Sequence, residues 1–476
     1  MARVQLTGGY YRARSLIAGA QRCVNLYPEK NEPDSPTTFT DYPTPGLRLL
    51  ANPPVTGPAR GIYTASSGNL YYACGNALYF VDSGWTFALI GTLATSAGMV
   101  SMWDNGSDML VADGSPFGYT VNLGTQAFAT IGNGDNFYGA TRLDGLDSYT
   151  LGNIPGTRTF FSSDLNALTF DPLYIANKSG APDLLVVVVV VNREIWLLGQ
   201  KTAEIFYNSG SADFPFQIMS GPFIQYGCAA AGSVARQGST IFWLAQDASG
   251  GRTVLAGKGY EAHAISTQAM DDAIRKYAYV GDAVAFCYQQ EGHQFYILTF
   301  PSADATWCFD FQTGLWHERT WTDSNGTEHR IRAQCGAYAY GVNVVGDWET
   351  GALYALDLDA ETDNGQPIVR RRGFPHMIQN ANRQVFSQFI ADLAVGGSVG
   401  TTGTAPPLIF LRWSDDRGVT WGNAVDASMG ATGDYLASVQ WQRLGMARDR
   451  VFELFWSEPA KTALQGAFVR VQKLGS

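Results

Sequence analysis

Apolar and polar positions alternate along this chain in short runs, and the runs come in pairs. Ile195-Trp196-Leu197-Leu198 and Glu204-Ile205-Phe206-Tyr207 flank the polar Gly199-Gln200-Lys201-Thr202, which predicts a β-hairpin. A loop rich in turn formers follows from Ser209 to Pro215, and the cycle restarts at Ile241-Phe242-Trp243-Leu244 with Thr253-Val254-Leu255. From about Gly61 to Leu358 such strand-turn-strand units recur every forty residues or so, the spacing of propeller blades. Leu70 to Ala73 with Ala77 to Val81 is the clearest pair, and His293 to Leu298 with Thr306 to Asp310 is another. An aromatic strand ending in Asp and followed by Gly and Trp occurs twice, at Val81-Asp82-Ser83-Gly84-Trp85 and from Phe309-Asp310 to Gly314-Leu315-Trp316. The pattern predicts an all-β chain built on a propeller of six or seven blades. The six-valine run Val186–Val191 reads as a buried strand.

Outside these units the pattern changes. From Thr7 to Pro54 the prolines stand too close for regular structure, which predicts an irregular N-terminal arm; its Leu26, Tyr27, Phe39, Tyr42 and Leu47 imply that it packs on the same chain or on a neighbour. One segment, Ser266 to Tyr277, has helical periodicity, with Ser266 placed as its N-cap. After Asp363-Asn364-Gly365-Gln366-Pro367 come longer alternating strands, Gln384 to Leu393 and Leu408 to Trp413, around a loop from Gly396 to Pro407. These predict a C-terminal β-sandwich-like domain. The expected division is an arm over 1–57, a propeller over 58–360 and a C-terminal β domain over 361–476.

Composition supports strands over helices: charged residues are 16%, aromatics 13%, and Gly numbers 53 in 476. The net charge of -10 argues against a protein that grips nucleic acid with a broad basic face. The charge is uneven. Residues 360–476 hold 12 Lys+Arg against 10 Asp+Glu, so the first 359 carry the whole acidic excess. The six cysteines form no C-x-x-C pair and read as reduced thiols of a cytosolic protein. The N-terminus lacks the apolar core of a secretory signal, and no apolar run is long enough to span a bilayer.

Candidate chemistry is sparse. Ser414, Asp416, Gly418, Thr420 and Trp421 fit S-x-D-x-G-x-T-W, the Asp-box, in which a carboxylate and hydroxyls close a turn by bonding its backbone N–H groups. Sialidases carry several such boxes on propeller blades, but this one stands alone and outside the predicted propeller, as a structural turn. The five histidines show no metal-ligand spacing, each reading as a surface or strand residue, and Gly257-Lys258-Gly259 lacks the Ser/Thr of a phosphate loop. Asp271-Asp272 suits a helix start. Arg370-Arg371-Arg372 could grip phosphates or an acidic partner, but on an alternating strand it reads as one solvated face. No catalytic, cofactor-binding or metal-binding residues are assigned, and no cofactor is expected.

Several stretches in order resemble the packaged-DNA stabilisation proteins of short-tailed bacteriophages. They are Gln21-Arg22-Cys23-Val24-Asn25-Leu26-Tyr27-Pro28-Glu29, Thr44-Pro45-Gly46-Leu47, the stretch from Arg193 through Asn208-Ser209-Gly210 and Asp213-Phe214-Pro215-Phe216, Ile265-Ser266-Thr267, Trp413-Ser414-Asp415-Asp416 and Trp441-Gln442-Arg443-Leu444-Gly445. The resemblance implies a hub or nozzle protein of the virion tail, assembled in the host bacterial cytoplasm. It implies a hexameric ring below the portal and its adaptor, seating the tail needle and tailspikes or fibres. Packaged DNA would be retained above it and would pass its lumen without sequence-specific binding. Two other readings remain: a sialidase-like propeller glycosidase, which requires carboxylate and Arg or Tyr groups converging on the propeller axis, and a host-glycan-binding adhesin.

Overall fold

The structure, a computed structural model, describes residues 11–12, 20–35, 37–211, 213–378, 382–394 and 406–473. Runs that are neighbours in sequence pair with each other as antiparallel strands, because short turns between alternating segments leave no other partner so close. Four sheets of four strands each occupy residues 59–92, 101–131, 143–177 and 185–224. A fifth is centred on Thr240–Gln246 and Arg252–Lys258, and a sixth runs from Val284–Gln290 to Leu315–Glu318. The seventh takes Ala333–Ala339, Val342–Asp347 and Leu353–Asp357 from the end of the repeat region and its fourth strand, Gly46–Ala51, from its beginning.

Innermost strands of successive blades pack side by side, and Ala333–Ala339 lies against Ala59–Thr64, so the ring closes at seven. Gly46 is required at that closure, since a Cβ there would sit 2.1 Å from the Ala360 carbonyl oxygen. The valine run is the innermost strand of the fourth blade, and Val187 and Val188 are fully buried. Between the fourth and fifth blades Trp196 and Trp243 meet edge to face, 6.2 Å between centroids. Truncating a buried side chain of this size removes about 3–5 kcal/mol.

The N-terminal stretch is more regular than its prolines suggest. Besides the short pair Tyr11–Arg12 and Ala20–Gln21, four strands matter there: β1 (Cys23–Val24), β2 (Leu26–Lys30), β3 (Phe39–Pro43) and β4 (Gly46–Ala51). Their partners are far away in sequence. β1 pairs in parallel with β5 (Leu315–Glu318), the outer strand of the sixth blade, and antiparallel with β6 (Arg370–Gly373). The sixth blade therefore continues without a break into one sheet of the C-terminal sandwich, through β9 (Asp449–Trp456) and β8 (Leu408–Ser414). The hairpin β2–β3 extends the other sheet beside β10 (Ala463–Lys473) and β7 (Gln384–Ala394). Leu26, Phe386, Phe389, Trp441, Phe452 and Trp456 fill the space between the two sheets.

Two local expectations shift. The helix α1 spans Gln268–Arg275 and its N-cap is Thr267, whose hydroxyl accepts from Met270 N at 3.3 Å. Ser266 is drawn away because its Oγ accepts from Val254 N at 3.0 Å. Most of the expected loop from Gly396 to Pro407 lies outside the described residues.

Candidate functional site

Two places concentrate charged side chains: the seam between propeller and sandwich, and the propeller axis.

At the seam the residues from Arg22 to Tyr27 act in turn. Arg22 donates to Glu318 at 2.7 Å and to Glu328 at 3.0 Å; burial opposes its charge, but the two carboxylates outweigh that and its pKa is raised. Cys23 is fully buried and burial pushes its thiol up. Asn25 adopts φ of 54°, a conformation asparagine tolerates better than most residues. Its amide donates to Thr320 O and Val369 O at 3.0 and 2.9 Å, while its Oδ1 accepts from Thr320 N at 3.0 Å. One side chain thus ties the sixth blade to the start of the sandwich. Tyr27 packs edge-on against Phe295 and beside His293.

The arginine triple is neither a phosphate grip nor a solvated face. Arg370 pairs with Glu361 at 2.9 Å, Arg371 with Glu328 at 2.8 Å and Glu453 at 2.7 Å, and Arg372 with Asp41 at 3.0 Å. Arg370 and Arg372 are buried, as is Asp41. Strand alternation could not signal this, because burial of these charges depends on carboxylates supplied from distant parts of the chain.

The Asp-box turn has Ser414 Oγ donating to Asp416 Oδ1 at 2.7 Å and accepting from Gly418 N at 2.8 Å. Thr420 N and Oγ1 donate to Asp416 at 2.8 and 2.6 Å. These hydroxyls and N–H groups hold the Asp416 carboxyl down at about 2. Trp421 lies under the Arg412 guanidinium, 4.8 Å from its ring centre. The same clasp recurs without the full motif in propeller turns. Asp82 accepts from Gly84 N and Thr86 N at 2.9 and 2.8 Å, Asp247 from Ser249 N and Gly251 N, and Asp323 from Asn325 N and Thr327 N. An aspartate that spends its oxygens on turn N–H groups shapes a hairpin.

Several histidines are less exposed than isolated strand positions suggest. In the sixth blade His293 Nδ1 meets Asp310 at 2.8 Å, which raises its pKa against the opposing effect of burial. His317 is fully buried and neither ring nitrogen has a hydrogen-bond partner; burial, helped by Arg319, lowers its pKa to about 3. His376 bonds Asp449 at 2.8 Å and His329 bonds Asp304 at 2.7 Å. Among the described residues no His, Cys, Asp and Glu cluster could hold a metal ion.

The axis carries a cluster that sequence reading missed. A cavity of about 320 Å³ there is lined by Arg60, Tyr63, Arg142, Asp144 and Arg236 among others. Arg60 spends its guanidinium on the carbonyls of Gly98, Gly75, Thr95 and Ala97 at 2.7–2.8 Å. Asp144 is buried and accepts from Val190 N and Gly145 N at 2.7 and 2.9 Å; burial raises its pKa against Arg236 and those bonds. Tyr63 Oη donates to Asp104 at 2.8 Å, and Asp104 also accepts from Ser66 N, Ser66 Oγ and Gly106 N. Its acceptor positions are therefore filled. The only signal in sequence was a pair of charges, Arg142 and Asp144, beside apolar positions of one short innermost strand.

Comparison with known proteins gives two family matches. Residues 3–361 match the model described as Bacteriophage P22 Gp10, beta-propeller, and residues 373–472 the model described as Bacteriophage P22 Gp10, beta-sandwich. No curated protein matches. Among solved structures, the chain is similar to the WD40 beta propeller domain of Doa1 at 12% identity and a TM-score of 0.42, covering 66% of this chain and 98% of that one.

Proposed function

The chain belongs to the bacteriophage P22 Gp10 family, and from that premise we propose that it retains the packaged genome as a hub or nozzle of the virion tail. In this reading residues 1–57 are a strap, 58–360 the propeller and 361–476 the sandwich of one rigid building block. Copies assemble in the host cytoplasm as a hexameric ring below the portal and adaptor. The ring extends the DNA channel and seats the tail needle and tailspikes or fibres. Heterologous contacts between identical subunits close such a ring without further components.

The observation that carries the reading is the seam. A block that must bear load between portal and needle needs its two domains fixed to each other, and here one sheet runs through both. The basic groups offered by sequence as a phosphate grip are engaged internally. An acidic excess carried by the first 359 residues suits a channel through which duplex DNA must slide, since each phosphate contact adds to binding through counterion release.

The glycosidase reading has one observation in its favour, the convergence of Arg, Tyr and Asp on the axis. A hydrolase of that kind needs two carboxyl groups with free oxygens across a scissile bond. Asp104 offers none and Asp144 is bonded by backbone N–H groups, so this cluster does not supply that pair.

The test is a phage lacking this protein, with filled heads counted just after packaging and again after purification. Heads should fill normally and then empty. Heads empty at both times would place the protein in packaging itself and overturn the proposal.

A further inference from the structure

The axial cavity holds more positive charge than its partners balance. Arg142 and Arg236 both act on one carboxylate, Asp144, with Arg236 Nη1 at 3.7 Å from it. The Arg142 side chain donates from Nη1 to Val234 O at 2.6 Å and its backbone N–H to Asn153 Oδ1 at 3.2 Å, while Arg236 donates from Nη1 to Val190 O at 2.5 Å. Burial lowers its pKa, with Asp144 opposing and Arg236 adding to the fall. Neither neighbouring charged group relieves it: Arg60 is a further cation, committed to carbonyls, and Asp104 is saturated by Ser66, Gly106 and Tyr63. Two guanidinium groups lining one cavity beside a single carboxylate leave a net positive charge there that a small anion would balance.

We propose that this cavity is a binding site for a small oxyanion of the inorganic phosphate type, held by Arg142 and Arg236. The guanidinium fork matches two oxygens of such an ion, and the space of about 320 Å³ admits it together with bridging water. The Arg236 side chain is 38% exposed. Asp144 sets the strength of the site, by offsetting one of the two positive charges.

Calorimetric titration of the purified full chain with inorganic phosphate, at constant ionic strength held with chloride, tests the proposal. One saturable site per chain with Kd of about 1 mM or tighter is expected. Arg236→Gln, at a partly exposed position that should not disturb folding, weakens it roughly tenfold or more. Asp144→Asn tightens it roughly severalfold by removing the competing charge, and Arg142→Lys weakens it by losing the fork. A thermal melt of each variant separates loss of the site from loss of the fold. Absence of saturable binding up to about 10 mM, or binding by folded Arg236→Gln equal to that of the unaltered chain, overturns the site.

Discussion

The second blade and the propeller–sandwich seam are both built of β-strands, yet they are assembled in opposite ways. The blade, residues 101–131, is four strands each paired with its sequence neighbour. At the seam Val24 pairs with Glu318 and Arg371, and Leu464 with Asp41, partners hundreds of residues apart. A blade needs only its own turns and the flank of the next blade. The seam needs the N-terminal stretch, and without it both sandwich sheets lose a strand or hairpin, and the core around Phe386 and Trp456 loses Leu26. Local pairing makes a repeat; distant pairing makes two domains one body.

Truncation should separate the two regions most severely. A chain beginning at Pro45 keeps β4 and the closed seventh blade and loses β1, β2 and β3. Its sandwich should be destabilised by more than about 5 kcal/mol, the combined effect of lost core burial and lost ion pairs, while the blades persist. Hydrogen exchange in peptides from Asp449–Trp456, compared with peptides from residues 101–131, reads this directly. Equal protection of the sandwich in both chains would break the contrast.

A smaller effect comes from one buried pair in the seam. Asp41→Ala leaves Arg372 charged and buried, and should reduce stability by about 3–5 kcal/mol in denaturant unfolding. The double change Asp41→Leu with Arg372→Met should recover much of that loss, because two apolar groups need no partner. No recovery would mean that the pair contributes through its charges.

The same contrast explains what could be read in advance. The hairpins around Trp196 and Trp243 were legible because pattern, turn and partner all lie within one short stretch. The N-terminal strands were not, since Pro28 and Pro43 argue locally against a strand and the opposing evidence sits at Asp41, Glu318 and Arg372. The Asp416 turn was legible in full. Its counterparts at Asp82, Asp247 and Asp323 lack the Ser and Trp of the motif and show only in their hydrogen bonds. The axial Arg142, Asp144 and Arg236 come from two blades, so no window of sequence contains them together.

The smallest effect at neutral pH is inside the sixth blade. His317→Leu fills the same buried space without two unpaired nitrogens, and should change stability at pH 7 by less than about 1.5 kcal/mol. Its consequence appears in acid. His317 has its pKa lowered from 6.5 to about 3, so the unfolded chain binds a proton that the folded chain refuses, and this group's contribution falls away as pH drops from about 6.5 towards 3. His293 has the opposite sign: its pKa is raised, so its contribution is present below the unfolded value and is lost as pH rises through the folded one. The Leu variant should therefore resist acid unfolding better than the unaltered chain. An unchanged acid limb would contradict the buried neutral histidine.

The N-terminal strands make propeller and sandwich one mechanical and thermodynamic unit. Calorimetric unfolding of the intact chain tests it most directly, because two independently stable domains melt separately whereas a coupled pair melts together. A single transition is expected for the intact chain, splitting into two for the chain that begins at Pro45. Two resolved transitions in the intact chain, or one unaltered transition after truncation, would contradict it.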